Sequence, residues 1–340
     1  MMRRLKWPFS LTVLGLVLVL FEPARILAEV QALHPGWLAT ALAVTALQTL
    51  LSAWRWRFTA ARLGLELPWR RALGDYYLAG FANQTLPGGV LGDAWRAQRH
   101  AGWQEAVPQK RPEAHRGAAW RAVLIERGSG QILVVALSLF SLLMLSPWHG
   151  APPRLFATPA PDSMAGMLTV AACLGILFCG LTVLTQGYWQ RHWIRFRADV
   201  QRALLSRGAL VPQLASSLLI VLSYAAVFAL AARAIGVDLP IAILLSLALP
   251  VLLAMLIPLS IAGWGWREAM AGGLWLGLGL PPEQGVAVSM AYGGIVFLGA
   301  TPGLLVWLSQ PDHPSRVIDS QTDQPATPMS TSTTSSSPRG

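Results

Sequence analysis

The chain has 340 residues, of which 54% are hydrophobic and 12% are charged. Soluble domains carry about a quarter charged residues, so this composition excludes an ordinary soluble globular protein and indicates a surface that faces lipid. The formal net charge is +10, but the basic residues lie in short clusters between long apolar runs, as topology determinants do. Nucleic acid is therefore not an expected partner.

Six apolar runs reach the length that a helix needs to cross a bilayer, and they predict an all-α, polytopic helix bundle in a membrane. They cover about residues 9–28, 37–54, 122–145, 165–186, 210–235 and 285–308. The first run follows Arg3, Arg4 and Lys6, which also fits a cleaved signal peptide. Glu22 and Pro23 interrupt this run late and the second run follows directly, which favours an uncleaved first helix.

Two further apolar segments are broken by Pro and Gly and carry charges, so neither predicts an ordinary spanning helix. The first comprises residues 81–96, and the second comprises residues 258–268 between shorter apolar arms at 241–257 and 266–280. Pro and Gly free backbone groups that hydrocarbon cannot satisfy, and ionisable residues at membrane depth mark candidate sites. We therefore expect two broken or re-entrant hairpins in addition to the full spans.

The distribution of Lys and Arg predicts the orientation. With a cytoplasmic N-terminus, the segments 1–8, 55–71, 93–121 and 187–209 are cytoplasmic and hold 19 of the 26 basic residues, in agreement with the positive-inside rule. Basic flanks on both sides then make 73–96 a re-entrant segment that enters and leaves on the cytoplasmic face. The second broken segment either dips in from the opposite face or forms a tight two-helix hairpin.

The remaining segments are predicted to lie outside the bilayer. Pro108 and Pro112 argue against a long helix within the cytoplasmic loop, and the basic segment 187–209 suits a helix at the membrane surface. The chain is rich in Ser, Thr and Pro near its end, which predicts a disordered, cytoplasmic tail. The expected division is a transmembrane domain at 1–308 and a tail at 309–340.

The two broken segments resemble each other. Each has a Pro, then spaced glycines, then an acid and a base, as in an inverted repeat whose broken helices meet near the midplane. A helix that resumes after each glycine run points free N–H groups at the break, which favours an anion such as a phosphate. Arg96 and Arg267 would add charge-assisted contacts, and Asp93 can neutralise Arg96 from the same helix face. The predicted anion-binding residues are Asn83, Gly88, Gly89, Gly92, Asp93, Arg96, Glu126, Arg127, Gly263, Gly265, Arg267 and Glu268.

Each charged candidate also has a structural interpretation, which the sequence leaves open. These interpretations are helix N-capping for Asp93 and Glu268, inside-positive placement for Arg96, and an interhelical ion pair for Glu126 with Arg127. Arg267 is harder to explain in this way, because no other Lys or Arg lies between residues 234 and 315. Neither the six histidines nor the two cysteines show metal-ligand or nucleophile spacing, so no cofactor is expected.

The sequence resembles the transmembrane domain of the lysylphosphatidylglycerol synthase family, often called flippase-like. The likeness covers about residues 5–308 and rests on four stretches in order, which are residues 54–56, residues 83–96, the pair Glu126-Arg127 and residues 258–268. It implies a bacterial or archaeal multi-pass membrane domain that translocates anionic or modified phospho- or glycolipids, with the predicted anion-binding residues at the lipid headgroup. Trp264 and Trp266 are bulky where the family tends to be small or aliphatic.

The family resemblance also implies partners and alternatives. Members occur alone or fused to aminoacyl- or glycosyltransferase domains, and the short polar tail leaves no room for such a domain, so we expect a transport function rather than an enzyme. The alternatives are a lipid-modifying transferase or its membrane subunit, with Glu126 and Asp93 as weak acid–base candidates, and a structural subunit. The expected partners are membrane lipids and a separate lipid-modifying enzyme. The expected location is the cytoplasmic membrane with both termini cytoplasmic.

Overall fold

A computed structural model of the chain describes residues 34–86, 90–106, 112–145, 186–255 and 263–309, and every regular element within these ranges is a helix. The helices are α1 (Pro35–Arg62), α2 (Trp69–Thr85), α3 (Leu91–Ala106), α4 (Pro112–Leu145), α5 (Gln186–Val200), α6 (Leu210–Ala234), α7 (Ile241–Ala254), α8 (Trp266–Gly277), α9 (Pro282–Ala300) and α10 (Pro302–Ser309), with a π-helical turn (Gln201–Leu205) after α5. The prediction of an all-α fold is confirmed. The predicted spans at 9–28 and 165–186, the tail, Gly88, Gly89 and Pro258 lie outside the described residues.

Four helical stretches in the described ranges are long and apolar enough to cross a membrane. They are Pro35–Arg62, Arg116–Leu142, Leu210–Ala234 and Pro282–Ser309, and Ile241–Ala254 is a shorter apolar helix. Each corresponds to an apolar run of the sequence. The prediction of a polytopic helical membrane protein is therefore confirmed.

Helices extend further than the apolar runs. α1 continues to Arg62, eight residues past the predicted end of its run at residue 54, and α4 begins at Pro112. The cytoplasmic loop in which prolines argue against a long helix is helical up to Ala106 and again from Pro112, and residues 107–111 between these helices lie outside the described residues. Pro112 lies in the first turn of α4, where the missing N–H group has no helical partner to lose, so the helix starts at the proline instead of breaking there.

Each broken segment separates two packed helices. α2 packs against α3 around the first break, and α7 packs against α8 around the second. Gly263 and Gly265, just before α8, have φ values of +81° and +87°, which only glycine adopts without strain. Gly92 does not have a positive φ, but it lies where α3 meets α2. A Cβ at this position would overlap the carbonyl oxygen of Ala79. The glycines therefore serve turn formation at one break and close helix approach at the other.

Gly92→Ala is expected to destabilise the first hairpin. The added Cβ would overlap the Ala79 carbonyl oxygen and lie 2.7 Å from Asn83 Oδ1, so the helices would have to separate, at a cost of about 1–3 kcal/mol. Thermal unfolding of the detergent-solubilised protein measures the loss. The control is Gly102→Ala on the same helix, which has open space within 4 Å and should unfold at or above the wild-type temperature. Equal melting of both variants would contradict the close approach.

The helix packing of the first half recurs in the second half. α1 contacts α2 and α4, and α3 contacts α2 and α4; in the same way, α6 contacts α7 and α9, and α8 contacts α7 and α9. Between the halves, α1 packs on α6, α2 packs on α10 and α9, and α7 packs on α4. This is the contact pattern expected of an internal repeat, with α1 to α4 corresponding to α6 to α9. The sequence-based repeat is thus supported, and its inverted orientation stays a prediction.

The main apolar core lies within the second half and reaches α1. It contains a run of alanines on α6 together with Phe228, Trp275 of α8 and Tyr292 of α9. The small alanine side chains let neighbouring helices approach closely, which provides the packing that holds helices together in lipid. A second apolar cluster surrounds Trp56 of α1 and joins it to α2, α3 and α4. The first broken segment is therefore anchored on α1 and α4.

Candidate functional site

Five ionisable side chains meet in one cluster beside the first break. Glu126 of α4 accepts hydrogen bonds from Arg55 of α1 and from Arg96 Nη2 of α3, the latter at 2.5 Å. Asp93 accepts through Oδ1 from Arg96 Nε at 2.8 Å and through Oδ2 from Arg127 Nε at 2.7 Å. Acids and bases thus alternate, from Arg55 through Glu126, Arg96 and Asp93 to Arg127. The predicted pairing of Asp93 with Arg96 is present.

The cluster carries an excess of positive charge that is exposed at one end. It holds three guanidinium groups and two carboxylates, so its formal charge is +1. The side chains of Arg96 and Glu126 are 0% exposed and that of Arg55 is 4% exposed, whereas Arg127 is 34% exposed. Buried charges need such partners because isolated burial is costly. Arg127 is therefore the accessible cation of the cluster.

Aromatic rings hold the central arginine. The Arg96 guanidinium carbon lies 4.8 Å from the ring centre of Trp56 and 4.6 Å from that of Tyr76, which is within cation–π range. His100 meets Trp56 edge-on, with ring centres 5.5 Å apart. Burial lowers the pKa of His100 to about 4, so this histidine is neutral at physiological pH and leaves the formal charge of the cluster unchanged.

At each break a side chain of the protein accepts a hydrogen bond from one of the N–H groups at the start of the following helix. Asn83 Oδ1 accepts from the Gly92 N–H at 2.8 Å, and Asn83 Nδ2 donates to Asp93 Oδ2 at 3.1 Å. At the second break, Glu268 Oε2 accepts from the Gly265 N–H at 2.6 Å. Glu268 is therefore a helix cap, as the structural interpretation suggested. At the first break the Asn83 amide is the cap instead, and Asp93 accepts hydrogen bonds from Arg96 and Arg127.

A second, smaller cluster surrounds Arg267 next to the second break. Its Nε and Nη2 donate to Glu268 Oε1 at 3.0 and 2.8 Å, and Nε also donates to the Ser289 hydroxyl at 2.8 Å. The guanidinium carbon lies 4.5 Å from the Trp264 ring centre and 5.4 Å from that of Tyr292. This arginine is 1% exposed. The cluster is formally neutral and repeats the motif of a buried arginine held by an acid, a Trp and a Tyr.

Both breaks border one cavity of about 230 Å³. Asn83, Asp93 and Arg127 line it from the first half, and Gly263 and Tyr292 line it from the second. The volume is below the roughly 300–1,000 Å³ of pockets that enclose drug-sized ligands, so it suits a small polar group. The predicted residues that are described but do not line this cavity are Gly92, Arg96, Glu126, Gly265, Arg267 and Glu268.

Sequence reasoning missed the role of Arg55. It assigned this residue to a cytoplasmic basic segment, whereas the residue lies inside α1, is 4% exposed and also donates from Nη1 to the Ser217 hydroxyl of α6 at 2.8 Å. The signal available was an arginine between two tryptophans at the end of an apolar run, in one of the four stretches that carry the family likeness. An arginine at the end of an apolar run, with further arginines after it, is interpreted as a topology determinant unless the helix is known to continue beyond it.

Comparison with known protein families gives the chain an assignment. A family model described as the lysylphosphatidylglycerol synthase TM region matches residues 8–303. The chain belongs to this family. The lysylphosphatidylglycerol synthase TM region is a membrane module linked to lipid modification or transport, and the apolar helices make this member a multi-pass membrane protein. Comparisons with curated proteins and with solved structures found no match.

Proposed function

We propose that the protein binds the phosphate-bearing headgroup of an anionic or modified lipid in the cavity and translocates that lipid across the cytoplasmic membrane. The observation that carries the proposal is the +1 formal charge of the first cluster, which is accessible from the cavity at Arg127. A phosphodiester carries one negative charge and would balance this excess. An ion buried at membrane depth needs such a partner.

The headgroup would exchange with the internal counter-charge. Arg127 donates to Asp93 through Nε at 2.7 Å and Nη2 at 2.5 Å. A phosphate in the cavity would take these donors in charge-assisted, bidentate contacts, while Asp93 keeps Arg96 and Asn83 as partners. Arg96 and Arg267 do not line the cavity, so they would hold neighbouring side chains in place rather than contact the phosphate. A cavity of about 230 Å³ leaves the acyl chains in the bilayer.

The internal repeat supports a transport function. Two helical hairpins from the two halves border one cavity that Asn83, Asp93 and Arg127 also line. Broken helices that meet at a repeat interface are the arrangement of many secondary transporters. Movement of one half against the other would open the cavity to each leaflet in turn. The same proposal places both termini in the cytoplasm. It also has a separate lipid-modifying enzyme supply the lipid.

The transferase alternative has less support. Its acid–base candidates are Glu126 and Asp93, and each carboxylate is paired with two arginines. Nearby cations favour the ionised carboxylate, which is a poor general acid. Glu126 also lies outside the cavity wall. Among the described residues, these two carboxylates are therefore poorly suited to donate a proton to a substrate.

Arg127→Gln is expected to slow translocation strongly while leaving the fold intact. The change removes the cation that faces the cavity, and Asp93 retains Arg96 as a partner. Losing a charged hydrogen bond to phosphate should lower the rate about 10- to 100-fold. Proteoliposomes with a fluorescent phosphatidylglycerol and a membrane-impermeant quencher measure leaflet exchange.

The control for this measurement is Arg70→Gln. Arg70 is exposed at the start of α2 and does not line the cavity, so this variant should translocate at the wild-type rate. Thermal unfolding of each purified variant verifies that it is folded. Wild-type rates in folded Arg127→Gln protein would overturn the proposed function.

A further inference from the structure

α5 and the π-helical turn that follows it form a surface that is both basic and apolar. Within residues 193–210 all four arginines are exposed, and they are Arg195, Arg197, Arg202 and Arg207. Three large apolar side chains of the same stretch are 61–67% exposed, and they are Trp193, Ile194 and Leu205. This combination is typical of a helix that lies in the interface between lipid and water.

The one acid of this stretch does not neutralise the exposed arginines. Asp199 is 7% exposed and accepts a hydrogen bond from Arg121 Nε of α4 at 2.5 Å, which joins α5 to α4. Because Arg121 takes this carboxylate, the exposed side chains of residues 193–210 carry four positive charges and no negative charge. A surface of this charge attracts anionic lipid headgroups.

The end of α1 indicates the level of this surface in the membrane. Trp54, Phe58 and Arg62 are spaced four residues apart and lie on one face of α1. The rings of Trp54 and Phe58 stack with centres 5.4 Å apart, and the Arg62 guanidinium carbon lies 5.0 Å from the Phe58 ring centre. Trp and Arg at the end of an apolar span lie at the lipid headgroups. Arg62 also donates to the carbonyl oxygen of Gly208, so the chain after the π-helical turn lies at the same level.

An aromatic pair with a nearby arginine recurs on α5. The rings of Trp193 and Phe196 stack with centres 5.8 Å apart, and Arg197 is four residues after Trp193 on the same helix face. An arginine in this position can lay its apolar stem along the neighbouring apolar surface while its guanidinium group reaches the headgroups. The planar guanidinium group matches phosphate and forms bidentate hydrogen bonds with it.

We propose that α5 and the π-helical turn form a docking surface for an anionic lipid leaflet, apart from the cavity. Trp193, Ile194 and Leu205 insert among the lipids, and the exposed arginines bind lipid phosphates around them. Residues 193–210 are not among the described residues that line the cavity, so the surface holds lipids of the surrounding membrane. The inference therefore does not rest on the proposed function. An acidic protein would match the charge, but the level indicated by α1 places lipid headgroups there.

The test measures how deeply α5 enters lipid. Full-length protein carries the changes Cys173→Ser and Cys179→Ser, which remove the two cysteines of the chain, and a spin label on Ile194→Cys. It is placed in nanodiscs of phosphatidylcholine or of an equimolar mixture with phosphatidylglycerol. Collisions with oxygen and with a water-soluble nickel complex report the depth of the label. In the mixture the label should lie about 5–10 Å inside the boundary between headgroups and acyl chains, and in phosphatidylcholine alone it should be more accessible to the nickel complex.

Removing arginines should release α5 from the anionic nanodiscs. Each arginine near an anionic surface favours the docked form about fivefold, so the triple variant Arg195→Gln, Arg197→Gln and Arg202→Gln should lower the ratio of docked to released label by about tenfold or more. Salt should act on the unchanged arginines in the same direction, because the screening length falls from about 10 Å at 0.1 M to about 3 Å at 1 M. The control is Arg233→Gln, which removes an arginine at the other end of α6 and should keep the wild-type depth.

The outcomes decide the inference without reference to transport. The same label depth in both lipids, or in the triple variant and its parent at low and high salt, would overturn recognition of anionic lipid. A label that is accessible to the nickel complex in every nanodisc would overturn docking, and broadening by a second label nearby would assign the face to another copy of the chain instead. Arg127→Gln should leave the label at its wild-type depth, so a failure of the proposed function would not affect this result.

Discussion

Replacing Glu126 by glutamine is expected to lower the free energy of unfolding by about 3–5 kcal/mol, the cost of removing one partner from a buried ion pair. The Glu126 side chain is 0% exposed and accepts from Arg55 and Arg96, which are also buried. Glutamine keeps the shape of the side chain but removes its charge. Two guanidinium groups then share the interior with Asp93 as the remaining acid of the cluster. Thermal unfolding in detergent, followed by size-exclusion chromatography, measures the loss.

The double variant Arg55→Gln with Glu126→Gln tests whether charge is the cause. It restores the formal charge of the cluster to +1, so it should recover part of the stability that the single variant loses. Asp238→Asn is the control, since Asp238 also pairs with an arginine, Arg233, but its side chain is 95% exposed. Exposed pairs contribute little, so this variant should melt as wild type does. Similar melting of Glu126→Gln and Asp238→Asn would show that the buried cluster does not stabilise the fold.

Hydropathy predicted the apolar spans in the described ranges and failed at helix ends. An apolar run ends where charges begin, but a helix ends where its backbone loses partners or tertiary support. α1 continues to Arg62 because Trp56 packs against α2, α3 and α4, and because Gln213 of α6 donates to the Thr59 hydroxyl at 2.8 Å. Such contacts involve residues far apart in the chain. Periodicity within one segment cannot reveal them.

In the charged site, too, contacts between neighbouring residues were predictable and contacts between distant residues were not. The pairing of Asp93 with Arg96 was predictable because residues three apart lie on one helix face. The pairing of Glu126 with Arg55 joins residues 71 positions apart, and no local spacing indicates it. Sequence reasoning also suggested that helix N–H groups at the breaks are free for an anion. Asn83 and Glu268 each take one such group, the N–H of Gly92 and that of Gly265, because polar side chains beside a break tend to cap it.

Arg267→Met is expected to destabilise the second hairpin by about 3 kcal/mol, at the lower end of the cost of breaking a buried ion pair. Arg267 is 1% exposed, whereas the side chain of its partner Glu268 is 15% exposed and keeps its capping bond to Gly265. The variant also loses the stacking on Trp264 and Tyr292. The stability of Arg267→Lys should lie between those of wild type and Arg267→Met. Lysine keeps the charge but lacks the planar guanidinium group that bonds Glu268 and Ser289. Thermal unfolding of the two variants beside wild type gives this order.

Lipid affinity of the folded variant decides between two roles for this arginine. If Arg267 contacts the lipid phosphate, as the sequence alone suggests, folded Arg267→Met protein should lose phosphodiester binding as Arg127→Gln does. The geometry favours a supporting role, since the guanidinium group does not line the cavity and bonds α8 to Ser289 of α9. Binding measured well below the melting temperature should then stay within about twofold of wild type, a change of less than half a kcal/mol. The double variant Arg267→Met with Glu268→Gln should recover stability without changing that affinity, because it removes the unpaired acid and leaves Arg127 untouched.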